Sequence, residues 1–371
     1  MRLIQVASAL AVSACIALAA EEGAVPANRV PTPSAQAVLA AIAKGDAPAA
    51  FAAATEGEQK GDATCVYLLG QMHEQGRGVQ NADPIKAFAL YEQAAKSGVP
   101  EALSAVARCL ETGVGTKPNL EKSLFVWQQA AEAGDPPALG RMGLAEMAGH
   151  ARPVSFETAR AWIEKAAQAR DPLGKWLLSR FYDQGLAGIT VSASKAVELC
   201  SEAAAAGQLD AMNQMGQYYA AGRGLPQDSV AAAGWYRLAT DYGHSGGAAA
   251  LALCYFDGRG VRQNDRLATE LASKAARAGE PRGQYLLGRI FEEGVGCAPS
   301  PVFALAYHLR ASKNGVKEAS TAIDRLRTKL HVTAIKQAEK LAEQPAFHLD
   351  PASATTQTHP EAQLAAPFTP K

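Results

Sequence analysis

Ser192 and Lys195 stand three residues apart, a spacing that fits a serine nucleophile with a lysine beside it on one helical turn. The pair occurs once, near a helix start, and no Lys-Thr-Gly element accompanies it. Ser192 therefore reads more simply as a helix cap. Gly-x-Gly loops invite a phosphate-binding reading, but they recur five times between helices and never follow a strand. The seven histidines, at 73, 150, 244, 308, 331, 348 and 359, form no HExxH and share no helical face. His73 falls where other units carry Leu110, Tyr182, Tyr219, Tyr255 and Phe291, so it reads as a packed side chain. No catalytic residue, cofactor or metal site is expected. What remains is a set of residue types that make contacts, not bonds. Tyr67, Gln71 and Glu74 are spaced by four and then three residues, so they adjoin on one helical face. The same spacing recurs at Ser104, Arg108, Glu111; Gly140, Leu144, Met147; Trp176, Arg180, Asp183; Asn213, Gln217, Ala220; Ala249, Leu253, Phe256; and Tyr285, Arg289, Glu292. Trp176, Arg180, Tyr285 and Arg289 are the types that anchor protein partners. The bland alternative is a row of solvated pairs, Arg108–Glu111, Arg180–Asp183 and Arg289–Glu292, each contributing a few tenths of a kcal/mol.

These triplets recur because the whole chain does. A turn glycine appears at 76, 113, 149, 185, 222, 258 and 294, with spacings of 37, 36, 36, 37, 36 and 36. A second landmark closes each unit at Gly98, Gly134, Arg170, Gly207, Gly243, Gly279 and Gly315 with the same period. Two landmarks holding one period over seven units define a repeat array. Each unit reads as helix, glycine turn, helix, at about 62–98, 99–134, 135–170, 171–207, 208–243, 244–279 and 280–315. The first helix carries Leu69, Val106, Met142, Leu178, Met215, Leu251 or Leu287, followed by a small residue that implies close approach of a neighbouring helix. The second helix starts on a cap at Asp83, Asn119, Ser155, Asp228, Asn264 or Ser300. Units three and four lack Gly-x-Gly, which reads as loop variation. Residues 34–61 form a truncated unit. After Gly315 come one more first helix and a last helix with Thr333 as its expected cap; atypical end units cover the open edges of such an array.

The pattern Leu69-Gly70 through Val79, then Tyr91 through Gly98, resembles the Sel-one-like repeat family, relatives of the tetratricopeptide repeats. Leu287-Gly288 through Gly296 and Met215-Gly216 through Leu225 with Trp235-Tyr236 match it too. The resemblance covers about 35–344. It implies an all-α, right-handed α/α superhelix, a solenoid of about seven helix-turn-helix units with capping helices at both ends. First helices line the concave side of such superhelices, so the triplets above become a groove. The family implies a protein-binding adaptor with no catalytic residues to transfer. The alternative, resting on Ser192, is an envelope enzyme or inhibitor acting on peptidoglycan or β-lactam-like ligands.

Composition bounds the rest. Lys plus Arg and Asp plus Glu are both 36, so the balanced charge removes the electrostatic footprint of a nucleic-acid binder. Met1-Arg2, an apolar stretch and Ala17-Leu18-Ala19 describe a signal peptide over 1–19, hence export to a periplasm or cell envelope. Val12-Ser13-Ala14-Cys15 also resembles a lipobox, which would place a lipid anchor on Cys15. Membrane contact is expected only by these routes. Residues 20–33 read as a Pro-rich linker and 345–371 as a disordered tail. Cys65, Cys109, Cys200, Cys254 and Cys297 follow no disulfide framework and read as buried thiols.

Overall fold

The computed structural model describes residues 31–149 and 154–344. The signal-peptide, lipid-anchor and tail expectations, and most of the linker, lie outside them. Among the described residues there are eighteen α-helices and no strand. The chain divides into two compact units, Met1–Ala211 and Met212–Lys371, with the division falling inside one helix.

In the first unit, α1 (Pro33–Ala43) and α2 (Ala47–Gln59) make the truncated hairpin. Full hairpins follow as α3 (Ala63–Gln75) with α4 (Pro84–Lys96), α5 (Pro100–Thr112) with α6 (Leu120–Glu132), and α7 (Pro136–Ala148) with α8 (Phe156–Gln168). The fourth pairs α9 (Pro172–Gln184) with α10 (Ala193–Ala205). The division falls in α11 (Leu209–Ala221). The second unit continues with α12 (Ser229–Asp241), α13 (Ser245–Asp257), α14 (Asp265–Arg277), α15 (Pro281–Glu293) and α16 (Pro301–Lys313). It closes on α17 (Glu318–Lys329) and α18 (Val332–Glu343). The cap of α18 is His331, whose ring accepts from Thr333 N–H, so the expected Thr333 cap is corrected by two residues. His331 holds the extended backbone that a cap requires, and Thr333 is already helical.

Each hairpin closes around one register. The small residue after the core position of the first helix receives a side chain from the second helix of the same hairpin. A Cβ at Gly70 would lie 2.7 Å from the Tyr91 ring, and one at Gly288 would lie 2.5 Å from His308. Tyr91 and His308 are fully buried there. Ile163 and Tyr236 fill the same slot against Gly143 and Gly216. The neighbour that the small residue admits is thus the partner helix of its own repeat.

The second glycine of Gly-x-Gly has a separate cause. At Gly115 (φ 71°) a Cβ would overlap the carbonyl oxygen of Pro84, the first residue of α4. At Gly260 (φ 71°) it would overlap that of Ser229, the first residue of α12. The loops at Gly78, Gly115 and Gly260 therefore seat their backbone on the preceding second helix, where a side chain has no room, whereas a Cβ at Gly296 would keep 3.5 Å from its nearest neighbour. The fourth repeat has no such seat: around Gly188 nothing lies within 4 Å. There the chain makes a short 3₁₀ turn over Leu186–Gly188, and the Ala187 carbonyl accepts from Arg160 Nη1 at 3.1 Å. Arg170 replaces the closing glycine with φ 64°, at a position where the equivalent Gly134 and Gly279 have open space around them.

Candidate functional site

Ser192 belongs to a series of seven second-helix caps. Asp83, Asn119, Ser155, Ser192, Asp228, Asn264 and Ser300 each accept, through the side chain, from a first-turn backbone N–H of their helix. Ser192 Oγ accepts from the backbone N–H of Lys195 at 3.4 Å. The Lys195 ammonium lies 5.2 Å over the Tyr182 ring. Ser192 occupies one register in a row of seven, and its hydroxyl is engaged as a cap.

The face carrying the triplets is built differently from what helix-local spacing suggests. Arg108 does not pair with Glu111. Its Nη1 and Nη2 both reach back to the previous first helix and bond Glu74 at 2.7 Å. Tyr91 Oη donates to the same carboxylate at 2.7 Å. Burial pushes the Glu74 carboxyl up, but the bonds from Arg108 and Tyr91 together outweigh it and hold the group below its ordinary value. One period-equivalent step repeats this at the far end of the array: Arg325 Nη2 bonds Glu292 at 2.9 Å, and Glu292 does not take Arg289. Between them the slot changes chemistry. The Arg289 guanidinium lies 4.5 Å from the centroid of the Phe256 ring, with Glu293 3.1 Å away as a helix-local partner. An arginine on one first helix thus meets the end of the preceding first helix, which offers a carboxylate or a ring.

The other residues of the face fall as follows. Gln71 Nε2 donates to Tyr67 Oη at 2.8 Å. Glu111 is exposed and accepts from Trp127 Nε1 at 3.3 Å, with Arg141 at 3.6 Å. Arg180 lies 5.4 Å over the Trp176 ring and has no ion-pair partner among the described residues. Trp176 Nε1 is buried with no acceptor. Asp183, Asn213, Gln217 and Tyr285 are half-buried, and Tyr285 sits 5.3 Å from the His308 ring. Phe256 is buried beneath Arg289, and Ser104, Gly140 and Ala249 are buried as well. The face is therefore a half-buried, cross-linked surface with a few open positions. Spacing within one helix does not reveal this cross-repeat pairing; its signal in the chain is an acid in one triplet followed by an arginine one period further on.

In the second unit this face opens into a cleft of about 510 Å³ between α13 and α15. Leu253, 40 % exposed, and Ala249 form its apolar side; Arg282, Tyr285 and Arg289 line the other. The half-buried Cys254 also faces it, with burial pushing its thiol up to about 11. Cys65, Cys109, Cys200 and Cys297 are buried and form no disulfide, as expected of packed thiols, whereas the expected burial of Cys254 is corrected: the cleft leaves it half-open. His73 is buried edge-on to Phe51 at 5.7 Å, with burial foremost in holding its imidazole below the ordinary range. Among the described residues no group of three His, Cys, Asp or Glu side chains could hold a metal ion. No described helix is long and apolar enough to cross a membrane.

Stacked helix-turn-helix hairpins with interlocked first helices define an α/α solenoid. The Sel1 repeat model matches seven times, at 63–99, 100–135, 136–171, 172–208, 209–244, 245–280 and 281–316, and the chain belongs to that family. The matches start one residue after each unit marked by the glycines. Among curated proteins, the chain is 29 % identical over 267 residues to Chitin synthase regulatory factor 3 of Schizosaccharomyces pombe. That alignment covers 70 % of this chain and 29 % of the relative. It is 28 % identical over 285 residues to Chitin synthase regulator SKT5 of Saccharomyces cerevisiae, covering 73 % and 40 %. The chain thus spans well under half the length of either. Among solved structures, a Sel1 repeat protein from Oxalobacter formigenes is 26 % identical, with a TM-score of 0.53 over 66 % of this chain and 99 % of that one. The antigen c5321 of uropathogenic Escherichia coli, with an SLR fold, shares the architecture at a TM-score of 0.61 and 22 % identity, over 92 % of this chain and 76 % of that one.

Proposed function

We propose that the chain is an exported, non-enzymatic scaffold that holds a protein or peptide partner on the face of its first helices. Residues 1–19 would direct export and be removed, leaving the array in a periplasm or cell envelope. The observation that carries the reading is the triplet face itself. It repeats in every unit, its side chains are pre-positioned by contacts between first helices, and Trp176, Arg180, Tyr285 and Arg289 remain partly open on it. Two fungal relatives named as regulators of chitin synthase support a role exerted on another protein. The place of Ser192 as one of seven caps supports the non-enzymatic reading.

The test is recovery of envelope proteins on the tagged chain, comparing wild type with Trp176→Ala/Arg180→Ala. A partner recovered by wild type and lost with the double variant, at unchanged melting temperature, is the expected result. Equal recovery by both would rule out this part of the face.

A further inference from the structure

The cleft of the second unit carries chemistry of its own. Three arginines line it, Arg259, Arg282 and Arg289, against two acids, Asp257 and Glu318. Arg259 is answered by Asp257 at 3.5 Å. Arg289 is answered by Glu293, but that pair lies within one helix turn and is 30 % and 47 % exposed, so water and other anions compete for it. Arg282 is exposed and has no hydrogen-bond or ion-pair partner among the described residues, and neither does the hydroxyl of Tyr285 one turn further along α15. Arg282, Tyr285 and Arg289 are spaced by three and four residues, so they stand on one stripe of α15. Facing them on α13 is Leu253, one of the few large apolar side chains left open to water. An unanswered cation, an unanswered hydroxyl and an open leucine thus border one cavity of about 510 Å³, a size that encloses a short peptide segment.

We propose that this cleft docks an acidic peptide segment of the partner, with a carboxylate set against Arg282 and Tyr285 and a neighbouring apolar side chain laid on Leu253. The inference rests on the scaffold reading above and gives it a ligand class. A carboxylate here would bond a guanidinium and a phenol at once, a charge-assisted arrangement stronger than a neutral pair. The apolar neighbour would cover Leu253, and the half-exposed Arg289 supplies a second positive charge at the end of the stripe. A basic side chain placed beside Tyr285 would instead set like charge against Arg282.

The probe is a cellulose array of synthetic twelve-residue peptides in four matched classes: leucine with Asp and Glu, leucine with Asn and Gln, leucine with Lys, and glycine with Asp and Glu. It is read with the fluorescently labelled full chain. The leucine-acid class should retain the chain at least tenfold above the amide and lysine classes, and more than the glycine-acid class. Arg282→Glu should abolish that preference, and Leu253→Asp should weaken retention. Both side chains are exposed, so melting curves should match wild type and report that the fold is intact. Equal retention by amide or lysine peptides, or acid-peptide retention that survives Arg282→Glu, overturns the assignment of this cleft. Retention of no class by wild type also overturns it. The scaffold reading has its own separate test, since recovery of an envelope partner through Trp176 and Arg180 lies in the first unit and uses neither variant.

Discussion

Among the described residues each unit buries an imidazole held low, His73 or His308, but only the first also buries raised carboxyls. In the first, Asp135 and Asp171 cap α7 and α9 while only 3 % and 6 % exposed. Each lies against the preceding first helix at the same register: Asp135 Oδ2 accepts from Ser104 Oγ at 2.5 Å, and Asp171 is packed on Gly140. Burial pushes both carboxyls up to about 6, with Glu101 adding to Asp135 and Asp135 adding to Asp171. In the second unit His308 fills the ring slot beside Gly288, fully buried, and burial pushes it down to about 4 against the pull of Glu292. A raised acid contributes stability that is complete below its ordinary value of 3.8 and lost as pH climbs through 6. A lowered imidazole contributes stability that is complete above 6.5 and lost as pH falls through 4. Acid therefore strains an imidazole in each unit, but it relieves buried carboxylates only in the first. One fold, repeated with the same period, acquires different responses from three substitutions in its slots.

The largest way to break this contrast is at the loops. Gly260→Ala, in the second unit, forces a Cβ into the Ser229 carbonyl at a left-handed φ and should cost on the order of 4 kcal/mol. Gly188→Ala, in the first, meets open space and should cost only about 1 kcal/mol for its φ of 73°. Chemical denaturation of the two variants measures the difference; equal losses would mean that the seat on the preceding helix carries no weight.

Next in size is the pH response. His308→Tyr restores the ring type of Tyr91 and Tyr236, and should remove an acid-dependent loss on the order of 3 kcal/mol between pH 6.5 and 4. Asp135→Asn/Asp171→Asn should flatten the opposite trend in α7 and α9 between pH 4 and 6. Amide exchange read helix by helix at pH 7 and pH 5 resolves the two, taken as variant minus wild type. The subtraction matters because Glu74, held down by Arg108 and Tyr91, loses its own contribution in acid. The same sign of change in both units would contradict the contrast.

Smaller still is the arginine slot. Arg108→Met breaks a doubly bonded, partly buried pair and should cost about 1.5 kcal/mol, whereas Arg325→Met removes a side chain 53 % exposed and should cost about 0.5 kcal/mol. Smallest is Arg170→Gly, which relieves φ 64° and should gain about 0.5 kcal/mol after the added freedom of the unfolded chain. Thermal melts read both, and a loss at Arg170→Gly would mean that its side chain, not its backbone, is what the position needs.

Much of this was legible in the residues. The period of the turn glycines located every hairpin, and the polar residue 36 or 37 positions apart located seven caps, Ser192 included. The face was legible as well, because helical geometry alone puts Tyr67, Gln71 and Glu74 side by side. Its pairing was not. Spacing within one helix favours Arg108 with Glu111, whereas the stacking register puts Arg108 on Glu74, 34 residues earlier in the chain. The same gap hid the cause of the second glycine, which lies in a carbonyl of the preceding repeat, and the cavity beside Leu253, which needs two stacked first helices to exist.

Photo-crosslinking decides most directly which face of the array carries the partner. A benzophenone side chain would be placed in turn at Glu111 and Leu253 on first helices and at Ile85 and Phe125, the open apolar residues of second helices, 74 % and 64 % exposed. The account predicts one partner crosslinked from Glu111 or Leu253 and none from Ile85 or Phe125. Crosslinks confined to Ile85 and Phe125 would contradict it.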